Sequence, residues 1–160
     1  MRSVILCGQF LDFSGYAWAG RSYTKLFSNY FTNDQLYFIN DSLESHTKNL
    51  SEDEIKKLKQ DFGISDIKFT PIEELKSLTG EVYYFECLIP STYIAKAHAK
   101  QLSPVDILNQ NESISLVKIS MVAWESNTFP TLYTSGIQTA GFDALLLHTR
   151  QHADKLQAQV

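Results

Sequence analysis

The chain has 160 residues, a formal net charge of −4 at pH 7, and a composition of 44% hydrophobic and 20% charged residues. This length suits one domain with its own core, residues 1–160, and this composition excludes a disordered or fibrous chain. The acidic balance, without a cluster of lysine and arginine, argues against nucleic acid as a partner. No apolar run reaches the length of a membrane span, so we expect a cytoplasmic protein.

Short apolar runs alternate with helical patterns along the chain. Runs rich in β-branched and aromatic residues predict five strands, at residues 4–7, 35–39, 82–88, 114–124 and 144–147. Helical spacing and capping signals predict helices at residues 16–31, 51–63, 71–78 and 93–101, and a helical turn that opens at residues 129–130. Ser14, Ser51 and Thr70 are the predicted N-caps of the first three helices. The tail, residues 151–160, is helix-like or frayed.

This order of elements predicts an α/β fold, namely a single Rossmann-like domain with a mostly parallel sheet flanked by helices. In such open sheets, ligands bind at the carboxyl ends of the strands. The loop from Gly8 to Tyr16, between the first strand and the first helix, is therefore a candidate site. Its spacing matches neither GxGxxG nor a P-loop, so it indicates either a ligand-binding loop or a tight turn that needs glycine. Asp12 within this loop is either a base or an exposed loop acid.

The cysteines and histidines favour neither a metal site nor a cofactor. Cys7 and Cys87 are isolated from each other, lie in predicted buried strands and lack zinc-ligand spacing, which indicates free thiols. His148 and His152 have the spacing of one helical face, but no acidic third ligand stands near them. Surface histidines are therefore the favoured interpretation.

Three segments stand in a fixed order along the chain: SGYAWAGR at 14–21, AWESNTFP at 123–130 and GFDALLLHT at 141–149. Together they resemble the N-terminal, acceptor-side domain of glycosyltransferases of the GT-B type. The first is similar to the start of that family's first helix, and the second to a strand that ends in Trp-Glu before Leu-Pro. The third is similar to the aspartate and apolar strand that lead to the inter-domain linker, with His148-Thr149 in place of the usual Pro-Ser.

This resemblance implies that the chain binds a sugar or glycan acceptor and forms one side of a sugar-transfer cleft. Gly15 and Tyr16 would face the donor phosphates or the transferred sugar, and Glu125 would hydrogen-bond acceptor hydroxyls. Trp124 and Glu125 also fit a strand-end aromatic residue and a solvated acid. Glu86 stands in the region where the family often has a histidine. The implied substrate-binding residues are Asp12, Ser14, Gly15, Tyr16, Arg21, Glu86, Trp124 and Glu125.

The donor half of these enzymes is a second domain, which a chain of this length cannot contain. The resemblance therefore implies that transfer needs a partner, either a separate donor-binding polypeptide or a second copy of the chain. One alternative is a non-catalytic ligand-binding or protein-interaction module on the same scaffold. Another is an unrelated α/β enzyme or flavodoxin-like domain, which no phosphate-binding loop in the sequence supports.

Overall fold

The computed structural model describes residues 2–32, 34–41, 50–89, 94, 96, 98, 99, 101–122, 130–147 and 154. The described strands are β1 Ser3–Gly8, β2 Gln35–Asn40, β3 Gly80–Cys87, β4 Ile114–Val122 and β5 Ala144–Leu147. The described α-helices are α1 Gly15–Tyr30, α2 Glu52–Asp61, α3 Pro104–Asn109 and α4 Thr131–Ala140, and a 3-10 helix spans Ile72–Ser77. Among these helices, none combines the length and apolarity that a membrane crossing requires.

The five strands form one sheet in the order β2-β1-β3-β4-β5, and every neighbouring pair is parallel. This arrangement confirms the predicted α/β, Rossmann-like fold. The order is the one that flavodoxin-like doubly wound sheets also have. After β2 the chain returns to the other side of β1, so the strand order reverses between β1 and β3. The carboxyl ends of those two strands are therefore where a doubly wound sheet forms its ligand crevice.

Both faces of the sheet are covered, which explains why every residue of β1 is buried. On one face, Val4 and Leu6 pack in a core that includes Phe27 of α1. On the other face, Ile5 packs in a core that includes Leu75 of the 3-10 helix and residues of α3. The alternation of successive β1 side chains between these two cores is the two-residue period of a strand.

The connection from β2 to β3 passes around the outer edge of the sheet. Phe69 forms an isolated parallel bridge with Phe38 of β2, and the backbone N–H of Thr70 donates to Phe38 O at 2.8 Å. Thr70 therefore pairs with the sheet edge, and Pro71 takes the N-cap position of the 3-10 helix. The prediction of Thr70 as an N-cap with proline at the first helical position was wrong for this reason.

Two further helices differ from the prediction. Helix α3 lies where a connection without a helix was expected, and the predicted helical turn at 129–130 extends into α4, a helix of 10 residues that starts at Thr131. Ser14 and Ser51 cap α1 and α2 as predicted. Of the predicted helix at 93–101, the described residues Ile94, Lys96 and His98 are helical. The tail from 151 lies outside the described residues except for one residue.

Candidate functional site

The loop from β1 to α1 leaves the sheet at the reversal of strand order. Gly8 ends β1 in register with Asn40 and Cys87. A Cβ built on Gly8 would lie 3.3 Å from the Cys87 carbonyl oxygen and 3.3 Å from the Phe10 ring, so a larger residue fits only if these neighbours shift by a few tenths of an ångström. Asn40 Oδ1 accepts hydrogen bonds from the backbone N–H groups of Phe10 (2.8 Å) and Leu11 (3.3 Å). The start of the loop is thus fixed to the end of β2.

Three of the predicted site residues hold this loop in shape. Asp12 Oδ1 accepts a hydrogen bond from the backbone N–H of Ser14 at 2.8 Å, and Ser14 Oγ accepts one from Ala17 at 3.2 Å. The Arg21 guanidinium donates to the carbonyl oxygens of Phe10 (3.0 Å) and Asp12 (2.6 Å). The same guanidinium lies 4.0 Å from the centre of the Phe62 ring. These side chains organise the loop internally, and their contact with a ligand stays a prediction.

The first helical residue of α1 leaves room for a ligand. Apart from its two chain neighbours and the backbone of α1 itself, no atom of the described residues lies within 4 Å of a Cβ built on Gly15. Its neighbour Tyr16 is half-buried and packs against the core on the α1 side. The Tyr16 carbonyl oxygen accepts a hydrogen bond from the Cys87 thiol at 3.7 Å. The backbone at Gly15 is therefore open while the next residue anchors the helix.

A row of side chains crosses the opposite face of the sheet near its carboxyl edge. Strand register aligns Ile39, Cys7, Glu86, Ser120 and Leu145. Within this row Glu86 and Ser120 are each 2% exposed. Tyr84 precedes Glu86 on the same face, and its hydroxyl donates a hydrogen bond to the Glu86 carboxyl.

An ion pair adjoins this row. Asp41 comes directly after β2, and its backbone N–H donates to Gly8 O at 2.9 Å. Its carboxylate pairs with the Lys96 ammonium and lies 4.0 Å from the Cys7 sulfur. The Lys96 side chain is 6% exposed and the Asp41 side chain 15%. We call Cys7, Asp41, Tyr84, Glu86 and Lys96 the carboxyl-edge cluster.

Burial determines the protonation of this cluster. The pKa of Glu86 is raised to about 8, mainly by desolvation and to a smaller extent by the nearby Asp41 carboxylate. Desolvation also raises the pKa of Tyr84 and of the Cys7 thiol well above their usual values. It raises the pKa of Cys87 to about 12. At neutral pH Glu86 is therefore mainly a neutral carboxylic acid, and neither thiol is an activated nucleophile.

Sequence reasoning identified Glu86 but not the groups around it. Tyr84 stands two residues before Glu86 in the same predicted strand, so the strand period could have placed the two on one face. Asp41 and Lys96 lie far from Glu86 along the chain, and the usable signal for Asp41 was that it closely follows a predicted strand. Trp124 and Glu125, the predicted acceptor contacts, lie outside the described residues. Among the described residues, no three histidine, cysteine or acidic side chains come together in a way that could hold a metal ion.

The chain was also compared with known proteins. It matched none of the protein-family models, curated proteins or solved structures with which it was compared.

Proposed function

We propose that this chain is the acceptor-side domain of a GT-B-type glycosyltransferase and binds a sugar or glycan at the carboxyl edge of β1 and β3. The observation that carries the proposal is the open backbone at Gly15. Gly15 lies in the segment 14–21, one of the three segments that carry the sequence resemblance. This segment starts α1 next to the point where the strand order of the sheet reverses. A hydroxylated ligand can approach the backbone of a helix start closely at such a position.

The third resembling segment also occupies a consistent place in the fold. Asp143 stands immediately before β5, the edge strand of the sheet, and its Oδ2 accepts a hydrogen bond from the backbone N–H of Lys118 at 2.7 Å. This bond fixes the entry to β5 against β4. The resembling segment, an aspartate followed by an apolar strand, is therefore the bonded start of β5 together with β5 itself.

The donor half of the site is part of the same proposal. A nucleotide-sugar donor would be held by a separate donor-binding polypeptide or by a second copy of the chain across the cleft. We place the protein in the cytoplasm, where a reducing environment keeps thiols free. Both cysteines are buried and free, which agrees with that location.

A non-catalytic binding module is the second candidate, and one observation favours it. The polar groups of Asp12, Ser14 and Arg21 are engaged in bonds within the loop or at the start of α1. The described part of the loop therefore supplies backbone and shape rather than a free charged group. Sugar binding without turnover, measured in the presence of a nucleotide sugar and a donor-domain partner, would select this candidate.

Calorimetry with a panel of free sugars, oligosaccharides and nucleotide sugars tests the proposal. Gly15→Trp would fill the open space at the helix start and is expected to abolish binding, because the ring blocks the ligand. Ser22→Trp places the same ring on an exposed α1 position farther along the helix and is the matched control. Equal binding by both variants, or no binding by the unaltered chain to any member of the panel, contradicts the proposal.

A further inference from the structure

The carboxyl-edge cluster contains two carboxyl groups and one ammonium group. Glu86 is 2% exposed and Lys96 5%, so water does not compensate an unbalanced charge there. Lys96 neutralises one carboxylate at a time by direct pairing, and in the structure it pairs with Asp41. Glu86 is instead hydrogen-bonded to the Tyr84 hydroxyl. The cluster is thus balanced when one carboxyl keeps its proton.

We infer that Glu86 is a proton-controlled switch at the carboxyl edge of the sheet. While Glu86 is neutral, Lys96 pairs with Asp41. When Glu86 loses its proton, two buried carboxylates compete for the single ammonium, and the Asp41–Lys96 pair weakens.

Among the described residues, the titratable and charged groups around Glu86 come from four different parts of the fold, and β4 adds only the Ser120 hydroxyl beside it. Cys7 comes from β1, Asp41 from the end of β2, Tyr84 from β3 and Lys96 from the connection between β3 and α3. Cys7 and Tyr84 have pKa values raised well above their usual range, so both stay neutral while Glu86 titrates. Within this cluster, the charged groups on which the ionisation of Glu86 acts are therefore Asp41 and Lys96. The Glu86 pKa of about 8 places the change just above neutral pH.

A change at Asp41 reaches the candidate ligand loop through the backbone. The N–H of Asp41 donates to Gly8 O at 2.9 Å, at the last residue of β1. The preceding residue, Asn40, holds the N–H groups of Phe10 and Leu11 with its side chain. The Asp41–Lys96 pair is therefore connected to the base of the loop through Asp41 and Asn40. The switch requires no ligand, so it stands or falls separately from the proposed function.

Carbon-13 NMR titration of the glutamate side chains measures the switch directly, with Glu86→Gln to assign the signal. The Glu86 signal is expected to titrate near pH 8. Asp41→Asn should lower that midpoint and Lys96→Met should raise it, each by about one unit, because a nearby like charge disfavours ionisation and an opposite charge favours it. Glu81→Gln, at an exposed position of the same strand, should leave the midpoint unchanged.

A double-mutant cycle on Asp41 and Lys96 then tests the exchange of partners. The coupling between the two residues is expected to fall from about pH 6.5 to about pH 9.5 in the unaltered background and to stay constant in Glu86→Gln. A coupling that changes equally in both backgrounds overturns the inference. If the Lys96 variants do not fold, the unaltered chain still decides, because a Glu86 midpoint in the ordinary glutamate range or no titration below about pH 9.5 also overturns it.

Discussion

Arg21 joins helix α1 to the loop that precedes it through two carbonyl oxygens and the Phe62 ring. Arg21→Ala is expected to lower the free energy of unfolding by about 1–3 kcal/mol, because both carbonyl oxygens lose a charged donor. Arg21→Lys should recover only part of this loss, since an ammonium lacks the planar fork that bonds two acceptors and stacks on a ring. Urea denaturation measures both changes.

Lys25→Ala, one turn farther along α1 at an exposed position, is the control for the loss of a positive charge and should change stability little. Equal losses for Arg21→Ala and Lys25→Ala would show that the loop does not depend on the guanidinium.

The same residue shows where sequence reasoning stops at this scale. The pattern around Ser14 predicted the N-cap correctly, because a cap depends on neighbours three residues away. That Arg21 contacts substrate stays a prediction, but its structural role was missed: it has acceptors 9 and 11 residues earlier and a ring from the segment after α2. Such partners depend on tertiary placement, which spacing in one sequence does not encode.

At the scale of elements, α3 depends on its cap more than on its length. Ser103 Oγ accepts from the backbone N–H of Asp106 at 3.2 Å, and Asp106 Oδ2 accepts from the Ser103 N–H at 2.9 Å. Ser103→Ala should lower the free energy of unfolding by about 1 kcal/mol, because one of the unpaired N–H groups of the helix start loses its acceptor. Ser115→Ala, at an exposed β4 position, is the comparison in the same denaturation assay. A smaller loss at Ser103 than at Ser115 would contradict this role of the cap.

The missed helix and the misplaced cap have different causes. Helix α3 has only 6 residues, so it offers too few apolar positions for a helical period to stand out, although its Ser-Pro-Val-Asp start carries a capping signal. At Thr70 a capping signal was present and misleading. The N–H of that residue bonds to Phe38 on β2, and a long-range sheet contact overrode the local preference.

At the scale of the molecule, the sequence predicted the fold class and not the strand order. Continuous apolar runs such as that of β1 indicated strands buried on both faces, and the intervening helices indicated parallel connections. The order β2-β1-β3 follows from packing over long distances. That order places Cys7 beside Glu86 and near Asp41, so the carboxyl-edge cluster could not be predicted from the spacing of those residues.

The cluster makes the stability of the whole molecule depend on pH. The pKa of Glu86 is about 8 in the folded chain and 4.5 in its ordinary state, so the folded chain binds more protons than the unfolded chain between these values. The stabilisation is complete below about pH 4.5 and is lost as pH rises through about 8. Across that window the free energy of unfolding should fall by an amount on the order of a few kcal/mol, since each unit corresponds to about 1.4 kcal/mol.

Urea denaturation at intervals between about pH 5 and pH 8.5 measures this slope, and Glu86→Gln isolates it because an amide does not titrate. The slope measured for Glu86→Gln should be nearly flat relative to that of the unaltered chain, while Glu81→Gln keeps the original slope because Glu81 is exposed. Cys87 should lower the free energy of unfolding only at higher pH, because folding raises its pKa from 9.0 to about 12. Its contribution to stability is therefore fully present below about pH 9. A free energy of unfolding that rises from pH 5 to pH 8, or that falls equally in Glu86→Gln, would mean that the buried carboxyl is not what links the folding of this sheet to protons.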